Sequence, residues 1–380
     1  MITKIKSDKI ITPCGLFDGY VYFENGKISS VTADDIPADK EYDRTSYYVS
    51  PGFIDLHTHG GAGHEFFGES TDIVEGCNYH LSHGTTTILP TISAAPLEIM
   101  QKSVDSFIKA KNNPNLKSNA LGLHFEGPYL SKAQCGAQNT DFITPPIKSE
   151  YEPLVKRAGG FIKRWTYAPE NDKNGEFCRF ITEHGILASA GHTDAIYDDM
   201  LLAEQNGCKL ITHLYSCTST ITRNKGFRRL GVIESAYLSD DLYTEIIADG
   251  KHLPAELIKL IVKIKGTDKV SLCTDSLALA GTGLKKGTTL NTEFIIEDGV
   301  CKLADRSAFA GSIATADRLV KVVYKDVGLS IVEAVKMITD VPAKIMGLNK
   351  GRLEKGKDAD IVVFDDDISI KDVFVMGNKQ

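Results

Sequence analysis

Between Pro51 and Gly347 the chain alternates short apolar runs with amphipathic stretches, and few folds accept that rhythm. The runs are Phe53 to His57, Thr85 to Leu89, Ala120 to Glu126, Phe161 to Ala168, Ile186 to Gly191, Lys209 to Leu214, Thr244 to Ala248 and Val270 to Thr274. Each has strand length, and helical periodicity fills most of the gaps, as in Thr71 to Ser82, Pro96 to Lys111, Asp194 to Asn206 and Pro254 to Lys263. Strands separated by helices predict a parallel sheet, and eight such units over roughly 300 residues predict a (β/α)8, TIM-like barrel of the α/β class. With 380 residues and 42% hydrophobic content, the chain has enough material for a barrel and an appended module.

The two ends read differently. Residues 1–50 alternate apolar and polar, with Tyr20-Val-Tyr-Phe23, Asn25-Gly26 and Lys27-Ile-Ser-Ser-Val31 spelling a hairpin around a type I′ turn. Ala359 to Phe364 and Val373 to Met376 read as strands, with Gly377-Asn378 as a turn. The economical arrangement is one β-sandwich built from 1–50 and 348–380, flanking a barrel over 51–347. From about Gly283 to Asp305 the rhythm breaks into a β-hairpin insertion turning at Glu297-Asp-Gly299.

A barrel gathers its chemistry at the C-terminal ends of its strands. There the chain offers His57 and His59, then Glu126, His192, His213, His252 and Asp275. His57 and His59 are two apart on a strand and therefore share one face. Alone, that pair fits polar strand-end caps as well as a metal site. A ring of imidazoles and carboxylates from distant strands is what a divalent ion such as zinc, iron or manganese requires. Glu126 ends an apolar strand before Gly127-Pro128, where a surface carboxylate is the competing reading. Asp275 has a helix N-cap as its other role. His80, His83, His124 and His184 fall away from the strand tips and read as structural or supporting; His64 stays open.

Charge and composition exclude other classes. Lys plus Arg total 43 against 50 for Asp plus Glu, a net charge of −7 with no basic run to attract a nucleic-acid backbone. The N-terminus lacks an apolar signal core, and no run of 18 uncharged apolar residues offers a membrane span. Eight cysteines, without a Cys-x-x-Cys pair, fit reduced thiols in a cytoplasm.

Several segments follow one another along the chain in a recognisable order. They are Pro51-Gly-Phe-Ile-Asp-Leu-His-Thr-His-Gly60, His124-Phe-Glu-Gly-Pro128, Ala168-Pro-Glu170, Gly191-His-Thr193 and Thr212-His-Leu-Tyr215, then Ile247-Ala-Asp-Gly-Lys-His252, Thr274-Asp275, Ala310-Gly-Ser312 and Gly356-Lys-Asp-Ala-Asp-Ile-Val362. Together they resemble the amidohydrolase superfamily, and within it the deacetylases of N-acetylated sugar phosphates. The resemblance implies a barrel carrying a split β-sandwich, a homodimer, and one or two divalent ions per subunit, whether zinc, iron, manganese or cobalt. It implies Glu126, His192 and His213 as ligands of the principal metal, with a second ion on His57 and His59 sharing Glu126. By the same likeness Asp275 is the catalytic acid–base and His252 a substrate contact. Arg228, which composition alone would leave as a solvated loop arginine, becomes a phosphate ligand able to reach a neighbouring subunit.

Three departures from the family pattern bear on the substrate. Gln138 stands where a histidine commonly polarises the carbonyl. Ser216 and Cys217 alter the loop after His213 that contacts the sugar phosphate. The segment from His213 to Arg228 is longer, so Arg223 or Lys225 becomes a further candidate for phosphate. The galactosamine isomer, or another phosphorylated or cyclic amide, is the alternative substrate, although cyclic-amide hydrolases often carry a carboxylated lysine where Glu126 stands. A metal-free scaffold would have no use for this set of ligands.

Overall fold

The structure is a computed structural model that describes residues 1–289 and 292–380. Eight parallel strands form the barrel wall: Phe53–Thr58, Thr85–Ile92, Leu123–Glu126, Ile162–Tyr167, Leu187–Ala190, Leu210–Ile211, Tyr243–Ile247 and Val270–Cys273. A two-residue stub, Asn119–Ala120, pairs beside Thr85–Ile92. The last and first strands are joined by backbone bonds at their C-terminal ends, Asp275 N to His57 O at 2.9 Å and His59 N to Ser276 O at 2.8 Å, and by a side chain. Asp55 Oδ2 accepts from Thr274 Oγ1 at 2.6 Å, and its Oδ1 accepts from the amides of Thr274 and His57 at 3.3 and 3.2 Å. Strand alternation explains the position of Asp55: Ile54 and Leu56 face outward onto Ala343, which sends Asp55 and His57 into the barrel.

Helices Ser70–Ser82, Leu97–Lys111, Tyr197–Gln205 and Ala255–Lys265 occupy the places that periodicity assigns them. One starts late. Asp194 and Thr193 are held by the Glu170 carboxylate, through Asp194 N at 2.7 Å and Thr193 Oγ1 at 2.5 Å, so the helix expected from Asp194 begins at Tyr197. The insertion beyond the eighth strand is a three-stranded sheet, Lys286–Thr289, Thr292–Glu297 and Val300–Leu303, one strand more than the expected hairpin. Its turn at Asp298-Gly299 has the positive φ values that a tight hairpin demands. Residues 290 and 291 of that segment lie outside the described residues.

Both chain ends build one eight-stranded sheet, in which Tyr48–Pro51 pairs antiparallel with Ile361–Phe364. The sheet folds over its own core. Phe23 and Phe374 sit on strands far apart in the sheet order, yet their ring centroids are 5.6 Å apart, and Tyr42 meets Phe374 at 5.3 Å. Asn25-Gly26 turns the first hairpin with φ of 49° and 76°, the type I′ geometry. At the tail the turn is Met376-Gly377 rather than Gly377-Asn378, because Asn378–Lys379 pairs back onto Ile370–Val375.

His80 shows how the first helix is pinned to the barrel. Its Nε2–H donates to Gly60 O at 2.8 Å, Nδ1 has no partner, and burial pushes its pKa down to about 4. The unfolded chain binds a proton near pH 6.5 while the folded chain resists it to about pH 4. The neutral imidazole therefore contributes stability that is present above pH 6.5 and lost as the pH falls towards 4. We expect urea unfolding of the apoprotein to lose roughly 3 kcal/mol through this group over that range, and the loss to be absent from His80→Gln.

Candidate active site

The strand-end residues converge on the Glu126 carboxylate. Glu126 Oε1 lies 2.9 Å from His213 Nε2, 3.2 Å from His192 Nε2 and 3.3 Å from His57 Nε2. Its Oε2 lies 3.3 Å from His59 Nε2. Asp275 Oδ1 completes the group at 3.1 Å from His59 Nε2 and 3.5 Å from His57 Nε2. Four imidazoles and two carboxylates from five strand ends thus face one another, all buried, at the mouth of the barrel.

That spacing suits a metal ion. Donor atoms arranged as a tetrahedron around an ion with bonds of ~2.1 Å stand about 3.4 Å apart, the separation seen here. Two overlapping groups, His57/His59/Asp275 and His57/Glu126/His213, each place their donor atoms within 4.8 Å of one another. The nitrogen and oxygen set fits zinc, iron, manganese or cobalt, whereas a calcium site would be all oxygen.

The electrostatics agree. Burial alone would lower His57, but the charges of Glu126 and Asp275 override it and push its pKa up to about 10. Burial is likewise overcome at His59 and His192, both raised, and at Glu126 and Asp275, both held below the usual carboxylate range by the surrounding imidazoles. His213 goes the other way, lowered by burial and by its imidazole neighbours despite its bond to Glu126. The cluster is a negative well that draws in positive charge.

Backbone conformation aims the side chains. His192, His213 and Asp275 have φ of 46°, 29° and 47°. Left-handed residues other than glycine cost about 1–2 kcal/mol each and gather at functional sites. Here each one turns the chain out of its strand so that the side chain points across the barrel mouth. The outer ring nitrogens are fixed too: His192 Nδ1–H donates to Gln134 O at 2.9 Å and His213 Nδ1–H to Ser216 O at 3.0 Å, while His59 Nδ1 meets Ser93 Oγ at 3.0 Å.

Above the cluster lies a cavity of about 310 Å³. Gln138, Tyr215, Ser216, Cys217 and His252 line it, as the sequence led us to expect for all but Tyr215, and Phe294 from the inserted segment and Phe309 just after it cover one side. The amide of Gln138 is engaged: Nε2–H donates to Glu126 Oε2 at 2.7 Å, and its Oε1 accepts from Ala94 N at 2.9 Å. His252 is held by Asp249, whose carboxylate accepts from Nδ1–H at 2.9 Å. Arg228 does not join this group within the chain. It sits on an exposed hairpin, Thr222–Asn224 with Phe227–Arg229, as do its fellow candidates Arg223 and Lys225.

Several residues of the site escape a sequence reading. Glu65 lines the cavity and accepts a bond from Thr289; burial raises its pKa. Below the cluster, Arg164 and Glu245 form an ion pair with neither side chain exposed. Only the Asp249-x-x-His252 spacing carried a local signal, that of an acidic residue able to reach back to its own turn.

Comparisons with known proteins now bear on this geometry. The sequence model of the amidohydrolase family matches residues 48–379. N-acetylglucosamine-6-phosphate deacetylase of Bacillus subtilis is 33% identical over 373 residues, covering 95% of this chain and 92% of that protein. The human protein of the same name is 29% identical over 352 residues, covering 90% and 85%. Among solved structures, N-acetylglucosamine-6-phosphate deacetylase from Pasteurella multocida superposes with a TM-score of 0.92 at 29% identity over the whole of both chains. An aspartate-to-alanine mutant of the Mycobacterium smegmatis enzyme, in complex with N-acetyl-D-glucosamine-6-phosphate, also reaches 0.92, at 26% identity over 100% of this chain and 99% of that one.

Proposed function

This chain belongs to the amidohydrolase family, among its N-acetylglucosamine-6-phosphate deacetylases, and from that premise we propose that it hydrolyses N-acetylglucosamine 6-phosphate to glucosamine 6-phosphate and acetate in amino-sugar breakdown. The observation that carries the reading is the Asp275 carboxylate, 3.1 Å from His59 at the edge of an imidazole cluster that opens into a cavity.

The family is metal-dependent. Glu126, His192 and His213 would hold a principal divalent ion, and His57 and His59, sharing Glu126, a second. A divalent ion so bound supplies Lewis acidity, polarising a carbonyl and bringing the ionisation of water towards neutral pH. The chain's own groups do the rest. Asp275, kept ionised by its imidazole neighbours, takes the proton of the attacking water and returns it to the departing amine, serving as base and then as acid. His252, fixed by Asp249, offers Nε2 to the substrate across the cavity. Gln138 spends one N–H on Glu126 and retains a second for the acetyl oxygen. Tyr215, Ser216 and Cys217 form the wall against which the sugar lies.

The phosphate handle is the part a single chain leaves incomplete. We read the enzyme as a homodimer in which the exposed hairpin carries Arg228, with Arg223 and Lys225 beside it, to the neighbouring subunit's cavity. Phe227 at 78% exposure and Ile221 at 50%, on and beside that hairpin, support a buried position in an assembly. Arg228→Ala should raise KM for the phosphorylated sugar about 10-fold or more, the worth of one charge-assisted contact, and leave N-acetylglucosamine unaffected. Equal changes for the two sugars would move the phosphate site elsewhere. Eight cysteines without a disulfide framework support a cytoplasmic location; among the described residues no helix is long and apolar enough to cross a membrane.

The decisive experiment is acetate release by metal-loaded protein from N-acetylglucosamine 6-phosphate, with N-acetylgalactosamine 6-phosphate and unphosphorylated N-acetylglucosamine alongside. Fast release that requires both metal and phosphate is the expected result. Release from none of the three would refute the assignment.

A further inference from the structure

Arg164 occupies a place where a parallel barrel normally carries a branched aliphatic side chain. Its guanidinium is fully buried, and all five of its N–H donors are used. Nε donates to Ser189 Oγ at 3.0 Å, on the strand that leads to His192. Nη1 donates to Leu56 O at 3.0 Å, the carbonyl before His57, and to Glu245 Oε1 at 2.6 Å. Nη2 donates to Thr212 Oγ1, the neighbour of His213, and to Glu245 Oε2, both at 2.9 Å. One side chain thus ties together the three strands whose ends bear all four imidazoles.

A buried ion pair is a poor source of stability, since apolar residues of similar size usually serve as well or better. The second contact of Glu245 suggests what the pair does instead. Glu245 Oε2 accepts from His57 Nδ1–H at 3.2 Å, which turns the Nε2 lone pair of His57 towards Glu126 and Asp275. His57 is alone among the cluster's histidines in resting on a carboxylate. His192 and His213 rest on backbone carbonyls, and His59 on a serine hydroxyl.

We propose that Arg164 and Glu245 are positioning residues for the second metal: Arg164 fixes Glu245, Glu245 fixes His57, and the pair thereby governs occupancy of the His57/His59 position while leaving the Glu126/His192/His213 position independent. This rests on the two-ion reading given above. Carboxylates behind a metal-bound histidine fix its tautomer and raise its basicity, and losing one weakens metal binding by about 10- to 100-fold.

The test is a zinc titration of the apoprotein against a chromophoric chelator, with ion content counted after gel filtration. Two variants are compared with the unaltered protein: the near-isosteric Glu245→Gln, and the double variant Arg164→Met with Glu245→Leu, which removes both buried charges together. The unaltered protein should bind two ions. Both variants should bind the second about 10- to 100-fold more weakly, and Glu245→Gln, which leaves the Arg164 bonds to Ser189 and Thr212 in place, should keep the first at unchanged affinity. If the double variant does not fold, Glu245→Gln decides. Two ions held as tightly as before, or an equal weakening at both positions of Glu245→Gln, would overturn the positioning role, the second outcome showing a merely structural one. An unaltered protein that takes up fewer than two ions would instead refute the two-ion reading on which it stands.

Discussion

Asp275→Asn should retain its ions and its substrate and release acetate about 10²- to 10⁴-fold more slowly, the usual contribution of a positioned acid–base group. Asparagine is the stringent choice because it keeps everything else. It has the same shape, and among residues other than glycine it is one of the few that tolerate the left-handed conformation that Asp275 adopts at φ 47°. The backbone contacts at this position, Asp275 N to His57 O at 2.9 Å and Ser312 N to Asp275 O at 2.8 Å, do not involve the side chain. What an amide lacks is the capacity to take a proton from water and hand it to an amine. Single-turnover acetate release, measured with ion content on the same sample, checks this. Turnover within 10-fold of the unaltered enzyme would place the acid–base group elsewhere.

Glu126→Gln should strip the site of metal. The carboxylate is the common neighbour of four imidazoles and the one group that the two proposed ion positions would share, so a neutral amide there would remove a ligand charge from both. Removing a partner behind a ligand costs about 10- to 100-fold in affinity, and removing the shared ligand itself should cost more than about 100-fold at each position. Acetate release should fall to background, and raised metal concentration should restore little of it. The fold should survive, because the strands that Glu126 reaches through His192 and His213 are also held together by the backbone ladder of the barrel. The imidazoles should respond as well: without that negative charge, the burial of His57 and His192 is less opposed and their affinity for protons drops. Ion content after desalting and thermal unfolding of the apoprotein read the two effects separately.

The barrel and its mouth were legible because strands obey a period of two and end in recognisable places. His57 and His59 announce a shared face by spacing alone, and Glu126, His192, His213 and Asp275 each follow an apolar run. The layer beneath was not legible. Arg164 follows Lys163 in a strand, and two consecutive cations read as a solvated edge; only the closed barrel brings Glu245 from 81 residues away to meet the guanidinium. Gln138 was placed in the cavity by its likeness to a family position, yet its bond to Glu126 depends on where a loop folds, which pattern cannot supply. The hairpin at Thr222–Arg229 appeared in the sequence only as extra length, since polar residues alternate too weakly there to mark strands.

The sheet shared by the chain ends has a consequence for synthesis. Tyr48–Pro51 finds its partner Ile361–Phe364 only after roughly 300 further residues have been made, which at about 5–20 residues per second is some 15–60 s on the ribosome. Throughout that interval an apolar strand has an open edge, the kind of surface on which other chains nucleate aggregation. The late arrival of the partner makes the final segment a clasp that closes the nascent protein. A chain stopped short of Ile361 should therefore be recovered mainly bound to chaperones or in the insoluble fraction, while a chain that reaches Phe364 is protected.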